Sequence, residues 1–94
     1  MRSMADGPLP DLVLYGRPSC HLCHGTRETL KLILEERMAD GLAVPPVIER
    51  DISNDPALVA ELGDRIPVLE LGERRLELVT SAARIRRLLA EALG

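Results

Sequence analysis

Short aliphatic runs alternate with longer amphipathic stretches along this chain, and the alternation predicts its elements. The run Leu12–Tyr15 is typical of a short buried strand, and Gly16 and Pro18 interrupt it. A helical pattern then extends from about Cys20 to Ala39. The positions of this helix that we expect to face a sheet are Leu22, Thr26, Leu30, Ile33, Leu34 and Met38.

Local start and stop signals bound the next elements. Gly41 is a suitable residue just beyond the C-terminus of the first helix. The stretch Val47–Ile52 predicts a second strand. Asp55 can cap a short helix, and Pro56 fits its first position, so we expect that helix to run from Pro56 to Leu62.

The last third of the chain predicts a hairpin followed by a helix. Two strands, Val68–Leu71 and Arg74–Val79, flank Gly72-Glu73, and a two-residue loop with Gly first suits a type II′ turn. Thr80 or Ser81 is expected to cap the final helix. The apolar stripe of that helix consists of Ile85, Leu88, Leu89 and Ala92.

The resulting order, β-α-β-α-β-β-α, indicates one α/β domain over residues 12–94. The strand–helix–strand start implies a right-handed crossover between two parallel strands, and the hairpin adds antiparallel pairing. Residues 1–11 carry Gly7, Pro8 and Pro10 without periodicity, so we expect a flexible tail there.

Composition narrows the classes of function. Aromatic residues make up only 1% of the chain, so the core must be aliphatic. The net charge of −3 argues against nucleic acid as a partner. No apolar run approaches the ~20 residues of a membrane helix, and no signal-peptide pattern is visible. We therefore expect a cytoplasmic monomer that does not bind membranes.

The chain's two cysteines, Cys20 and Cys23, are the candidate chemistry. Their C-x-x-C spacing lies where the first strand ends and the first helix begins. Unpaired backbone N–H groups and the helix dipole favour an anion at that point, and a thiolate is an anion. In a cytoplasmic protein such a pair is more often catalytic or metal-binding than a structural staple.

The chain resembles a glutaredoxin-like member of the thioredoxin-fold superfamily. The stretches that carry the resemblance are Tyr15–Cys23 and Ile66-Pro67-Val68, in the element order given above. The resemblance implies a four-stranded mixed sheet flanked by helices. It also implies a cis peptide bond before Pro67, which would pack against the cysteine pair.

This reading predicts a thiol–disulfide oxidoreductase with a role in cell redox homeostasis. Cys20 would be the nucleophile and Cys23 the resolving thiol. The partners would be a disulfide-containing protein or small thiol substrate, and a thiol reductant. The residues that we expect to contact substrate are Tyr15, Arg17, Ile66, Pro67 and Ser81. His21, next to Cys20, is a candidate for lowering the pKa of its thiol.

Glutathione is expected to bind weakly, and no resident cofactor is expected. Dithiol glutaredoxins typically carry a Gly-Gly turn and an Asp at the start of the last helix. The glycines let the backbone approach the ligand, and the Asp pairs with its amino group. The corresponding stretch here, Leu78–Ala83, has neither a glycine nor a carboxylate.

Other readings of the cysteine pair stay open. A metal or iron–sulfur cluster could be shared between the C-x-x-C pairs of two chains, because one chain offers its Cys and His residues only within Cys20–His24. The same five residues spell C-x-x-C-H, the attachment motif of c-type haem, although export signals are not evident and four strands are predicted. A non-enzymatic binding module on the same fold is the third alternative.

Overall fold

The computed structural model describes residues 9–94. In chain order the elements are β1 (Leu12–Gly16), α1 (His21–Ala39), β2 (Val47–Asp51), α2 (Pro56–Leu62), β3 (Val68–Leu71), β4 (Arg74–Leu76) and α3 (Ala82–Leu93). A short 3₁₀ helix, Ile52–Asn54, lies between β2 and α2. The predicted order is confirmed. Most of the predicted tail lies outside the described residues, and residues 9–11 form no helix or strand.

The sheet has four strands in the order β2-β1-β3-β4. β1 pairs in parallel with β2, and Leu12 lies opposite Val47. β3 runs antiparallel to both β1 and β4. The mixed sheet and the thioredoxin-like α/β architecture are therefore as predicted. Because β1 is a central strand, the cysteine motif that follows its carboxyl end lies near the middle of the sheet and not beside an outer strand.

The predicted helix boundaries follow from local capping. Gly41 has φ 73° just beyond α1, where its N–H donates to the carbonyl of Met38 and the N–H of Leu42 donates to that of Arg37. This is a Schellman motif. The Asp55 carboxylate accepts from the N–H groups at the start of α2, and the Ser81 hydroxyl accepts from the Arg84 N–H at the start of α3.

The core divides between the two faces of the sheet. Helices α1 and α3 cover one face, and the aliphatic cluster between them and the sheet consists of Leu12, Leu14, Leu30, Ile33, Leu69, Leu71, Val79, Ile85, Leu88 and Leu89. Helix α2 covers part of the other face over a smaller cluster, which consists of Tyr15, Ile52, Leu62 and Val68. The aliphatic core and the predicted stripe of α3 are confirmed.

The predicted buried face of α1 is wrong at both ends. Leu22 and Met38 are 57% and 69% exposed. The buried stripe runs instead through Cys23, Thr26, Leu30, Ile33 and Arg37. This stripe keeps strict three- and four-residue spacing, whereas Met38 is one residue off it. One residue rotates a side chain by about 100° around the helix, which turns Met38 out of the core. Leu22 lies on the same side of α1 as Thr26, but it belongs to the first turn of the helix and is exposed there.

Two strands end earlier than predicted. β2 ends at Asp51, because its carboxylate accepts from the Ser53 N–H at 2.9 Å and caps the 3₁₀ helix. β4 ends at Leu76, and Leu78 then takes a left-handed conformation with φ 48°. This bend turns Val79 into the core, where it is fully buried.

A buried hydrogen bond joins α1 to the segment before α3. The Thr26 hydroxyl donates to the Val79 carbonyl at 2.6 Å. Replacing Thr26 by Val keeps the side-chain shape but removes the donor, so we expect Thr26→Val to lower the free energy of unfolding by about 1–3 kcal/mol. Thr29→Val, at a half-buried position one turn along, should lower it by less than about 0.5 kcal/mol. Urea denaturation of both variants measures the difference, and equal stabilities would contradict the role of this bond.

Candidate functional site

The cysteines lie at the start of α1 and differ in exposure. Cys20 is the N-cap residue and is half-buried, whereas Cys23 is only 6% exposed. The pair forms a disulfide with the Cα atoms 5.2 Å apart. The Cys20 Sγ also accepts a hydrogen bond from the Cys23 N–H at 3.1 Å. The arrangement thus has one outer and one inner sulfur, and the outer one faces the free N–H groups of the helix start.

The loop before α1 is a turn that delivers Cys20 to the helix. The Cys20 N–H donates to the Arg17 carbonyl at 3.1 Å, and Pro18 occupies the second turn position, where its fixed φ is favoured. The His24 N–H then donates to the Cys20 carbonyl at 3.3 Å. The His24 ring, through Nε2, also donates to the Pro18 carbonyl at 2.8 Å. The turn and the first helical turn are therefore tied together by hydrogen bonds.

Gly16 makes room for the inner sulfur. A Cβ atom on Gly16 would lie 3.0 Å from the Cys23 Sγ and 3.1 Å from its Cβ. Both contacts are tighter than those of most Cβ atoms, so Cys23 would have to shift by a few tenths of an ångström to accept a side chain at this position. Sequence analysis treats Gly16 only as a strand breaker, because a close approach between distant atoms leaves no local pattern. Its position shows that it also sets the depth of Cys23.

The Ile66–Pro67 peptide bond is cis, as the resemblance implies. The Ile66 side chain is half-buried, and Pro67 is buried. The Ile66 N–H donates to the Leu62 carbonyl at 3.1 Å, so this backbone donor is not available to a substrate. Helix α2 ends at Leu62, so the Leu62 carbonyl has no partner within the helix and accepts the Ile66 N–H instead.

The segment Leu78-Val79 runs beside the cis-proline loop. The Leu78 N–H donates to the Arg65 carbonyl at 2.8 Å, and the Val79 N–H donates to the Pro67 carbonyl at 3.0 Å. The Thr26 bond to Val79 fastens the same segment to α1. Three hydrogen bonds therefore hold the loop, the first helix and the approach to α3 in one fixed arrangement.

Arg17 lies along the end of α2. Its side chain is half-buried, with Nη2 3.3 Å from where a Gly63 Cβ would be. Its Nε is buried and has no hydrogen-bond partner among the described residues. Hydrogen bonds from Ser53 hold the pKa of Asp51 below its usual range, and the charge of Arg17 adds to this effect. The role of Arg17 in substrate binding stays a prediction.

The other predicted site residues have different surroundings. Tyr15 is 8% exposed, and its hydroxyl donates to Glu70 Oε1 at 3.0 Å. Burial, followed by this hydrogen bond, raises the pKa of Tyr15. Its position is that of a core residue under α2. Ser81 is the N-cap of α3, and His21 is exposed beside Cys20.

A cleft of about 350 Å³ opens between β2 and the start of α1. Cys23 and Gly16 line it together with the charged residues Arg17, Arg27, Glu49, Arg50 and Asp51. Arg27 and Glu49 form an ion pair across it at 3.5 Å. Arg27 and Glu49 could not be identified from the sequence, because only the parallel pairing of β1 with β2 brings Glu49 beside the cysteine motif.

Residues 9–94 contain neither a cluster of metal ligands nor a membrane-spanning helix. No group of three or more Cys, His, Asp or Glu side chains in this part of the chain could hold a metal ion. None of its helices combines the length and apolar character needed to cross a membrane.

Two glycines near the site allow a matched test of the Gly16 contact. Gly16→Ala should lower the melting temperature, because its Cβ would lie 3.0 Å from the Cys23 Sγ and force the buried Cys23 to shift. Gly25→Ala should raise the stability by about 0.5–1 kcal/mol, because that helical position has no atom within 4 Å of the added Cβ. Thermal denaturation of oxidised and reduced protein measures both effects. Equal shifts of the same sign for the two variants would refute the close approach.

Comparison with known proteins agrees with this geometry. The family described as glutaredoxin-like domain (DUF836) matches residues 11–92. A search of the curated proteins finds none that matches. The crystal structure of protein XcR50 from X. campestris is similar, with 32% identity, a TM-score of 0.68, and coverage of 86% of this chain and 97% of that one. The solution structure of XcR50 gives 34% identity, coverage of 86% and 94%, and a TM-score of 0.63.

A third structure extends the likeness in fold. Protein Ne2328 from Nitrosomonas europaea is 23% identical, covers 100% of both chains and has a TM-score of 0.68. At that identity the likeness concerns the fold alone. The family match spans most of the chain, and the Cys20–Cys23 pair lies in the position that the C-x-x-C motif predicts. The chain therefore belongs to the glutaredoxin-like domain family and has a thioredoxin-like fold.

Proposed function

We propose that this protein is a thiol–disulfide oxidoreductase in which Cys20 is the nucleophile and Cys23 the resolving thiol. The observation that carries the proposal is the asymmetry of the pair. Cys20 is half-buried at the helix N-cap, whereas Cys23 is 6% exposed one turn in. An exchange catalyst needs an accessible attacking sulfur and an inner sulfur that reacts only with the first.

The proposed reaction takes place in two exchange steps. The Cys20 thiolate attacks one sulfur of a substrate disulfide, and the second substrate sulfur leaves as a thiolate that takes a proton from water. Cys23 then loses its proton and attacks the Cys20 sulfur, which releases the first substrate sulfur as a thiolate that is also protonated. The substrate gains two electrons and two protons, and the protein is left with the Cys20–Cys23 disulfide.

Local groups favour the thiolate of Cys20 in the reduced protein. Its Sγ already accepts the Cys23 N–H at 3.1 Å, and other N–H groups of the first turn point the same way. The positive end of the α1 dipole adds to this stabilisation. His21 would strengthen the effect when protonated, because it is the next residue and is exposed.

Of the two backbone hydrogen-bonding groups of Ile66, only the carbonyl is proposed to bind substrate. The Ile66 N–H is bonded to Leu62, so the carbonyl is the group left for an incoming donor. Arg17 would attract a substrate carboxylate, and the N–H groups at the start of α3, beside Ser81, would offer a second anion site. A dithiol reductant would regenerate the reduced pair.

Variants of the two cysteines test the roles. Cys20→Ser should abolish disulfide reduction, whereas Cys23→Ser should still form a mixed disulfide that persists. In the reduced wild type, the thiolate favoured at Cys20 should react faster with an alkylating reagent than the buried Cys23 thiol does. Alkylation by iodoacetamide followed by peptide mass spectrometry measures this preference. Equal alkylation rates for the two cysteines would overturn the assignment.

Weak use of glutathione is a second expectation of this proposal. The ligand's ammonium lacks a carboxylate partner in Leu78–Ala83, a contact worth about 1.5–3 kcal/mol, or roughly tenfold to hundredfold in affinity. Reduction through glutathione should therefore be slow compared with reduction by a dithiol donor.

A gain-of-function pair sharpens this test. Ala83→Asp adds a carboxylate in the exposed first turn of α3 and should strengthen glutathione binding, whereas Ala90→Asp adds the same charge far along the helix and should not. Isothermal titration calorimetry of both variants gives the dissociation constants. A low-micromolar constant for the wild type would show the expectation to be wrong.

A further inference from the structure

Leu78 combines two unfavourable features beside the redox site. It is the only non-glycine residue with positive φ in the described part of the chain, at φ 48°. Its side chain is also 53% exposed. Leucine takes this conformation rarely, and such strain is concentrated at sites where a function requires it. The hydrogen bonds of Leu78 and Val79 to the cis-proline loop hold the strained conformation.

A second exposed leucine lies at the same end of the molecule. Leu22, between the two cysteines, is 57% exposed. It precedes Thr26 by four residues on α1, so the two share one side of the helix, and Thr26 is bonded to the Val79 carbonyl next to Leu78. Leu22 and Leu78 therefore give the rim of the redox site two apolar side chains.

A groove whose lining carries four arginines (Arg74, Arg75, Arg84 and Arg87) and one carboxylate (Glu91) lies beside the segment that leads to Leu78. We call it the arginine groove; it has a volume of about 310 Å³ between β4 and α3. Arg74 pairs with Glu91 at 3.3 Å. No carboxylate of residues 9–94 forms an ion pair with Arg84 or Arg87, so two positive charges face the groove unpaired.

One hydrogen bond connects the groove with the rim. The Arg84 guanidinium donates to the Glu77 carbonyl at 3.3 Å, and Glu77 directly precedes Leu78. The floor of the groove includes Leu76 and Leu88, so its polar wall stands over an apolar base. An extended ligand that crosses Leu78 therefore enters a region of positive charge.

We propose that this corner binds an extended acidic segment of a disulfide-bearing protein substrate. An apolar side chain of the segment packs on Leu78 and Leu22, and its carboxylates pair with Arg84 and Arg87. The inference rests on the proposed function, because it names the substrate class of the same cysteine pair. Charge complementarity selects an acidic protein segment, and the exposed leucines provide contact area that a small disulfide does not use.

Binding to the surface is tested without redox chemistry. The probe is a fluorescein-labelled peptide of Leu, Glu and Gly residues without cysteine, and a matched peptide has Lys in place of Glu. Fluorescence anisotropy should show that the protein binds the acidic peptide and not the basic one. The affinity for the acidic peptide should fall as the salt concentration rises. Arg87→Glu should raise the dissociation constant of the acidic peptide at least about threefold. Lys31→Glu makes an equal change of charge on α1, away from the groove, and should leave that dissociation constant unchanged.

The leucine contact has its own matched pair. Asn tolerates positive φ, so Leu78→Asn should leave the melting temperature of the protein unchanged or raise it. The same change removes the apolar contact, so it should raise the dissociation constant of the acidic peptide at least about threefold. Leu32→Asn makes the same change at a residue that is 61% exposed on α1, and it should not affect binding. No binding by the wild type, or equal binding of acidic and basic peptides, would overturn the proposal.

Disulfide-bridged versions of both peptides separate this inference from the proposed function. If the reduced wild type reduces both at the same rate and Arg87→Glu changes neither, the substrate class is wrong and the exchange activity stands. If the acidic peptide binds but no disulfide is reduced, the docking surface stands and the oxidoreductase proposal fails. Faster reduction of the acidic peptide, lost in Arg87→Glu, supports both.

Discussion

The burial of Cys23 against Gly16 is the contact on which the rest of the molecule depends. It fixes the rotation of α1 at its first turn, because the residue that touches the end of β1 must point inward. Thr26, Leu30 and Ile33 then follow into the core at helical spacing. Cys20, three residues earlier, is left at the cap with its sulfur toward the outside. The difference in exposure between the two cysteines and the packing of α1 against the sheet therefore follow from the same orientation of the helix.

Much of this could be predicted from local signals. The helix ends are set by residues that act on backbone groups close to them in sequence, namely Gly41, Asp55-Pro56 and Ser81. A short stretch of sequence is therefore enough to predict them. The C-x-x-C pair was informative because its spacing and its place before a helix are local too, whereas the cis Ile66–Pro67 bond was implied only by the resemblance to the glutaredoxin-like family. The buried stripe of α1 was not predicted correctly, because a thiol at Cys23 and a guanidinium at Arg37 replace aliphatic side chains there. Arg37 is accepted inside since it donates to the carbonyls of Ala43 and Gly94.

The remaining differences come from contacts between distant segments. Leu78 adopts a conformation that its residue type disfavours, and hydrogen bonds from the segment Leu78-Val79 to the loop at residues 65–67 and to Thr26 hold it there. The Ile66 N–H is a local exception: it donates to the Leu62 carbonyl, four residues earlier, at the end of α2. Net charge is misleading in a similar way. The chain carries −3 overall, while the corner formed by β4 and α3 is positive, because a sum over 94 residues contains no information about placement.

The scarcity of aromatic residues has a spectroscopic consequence. The chain contains one Tyr, no Trp and no Phe, so a single phenol supplies all of its aromatic fluorescence. That phenol is Tyr15, buried in the strand that leads into the cysteine motif and bonded to the Glu70 carboxylate, which Arg75 holds at 2.7 Å. A carboxylate acceptor quenches phenol emission, and loss of the native fold separates the two groups. Tyr15 is therefore a built-in optical reporter of the native packing around α2, with no second fluorophore to obscure it.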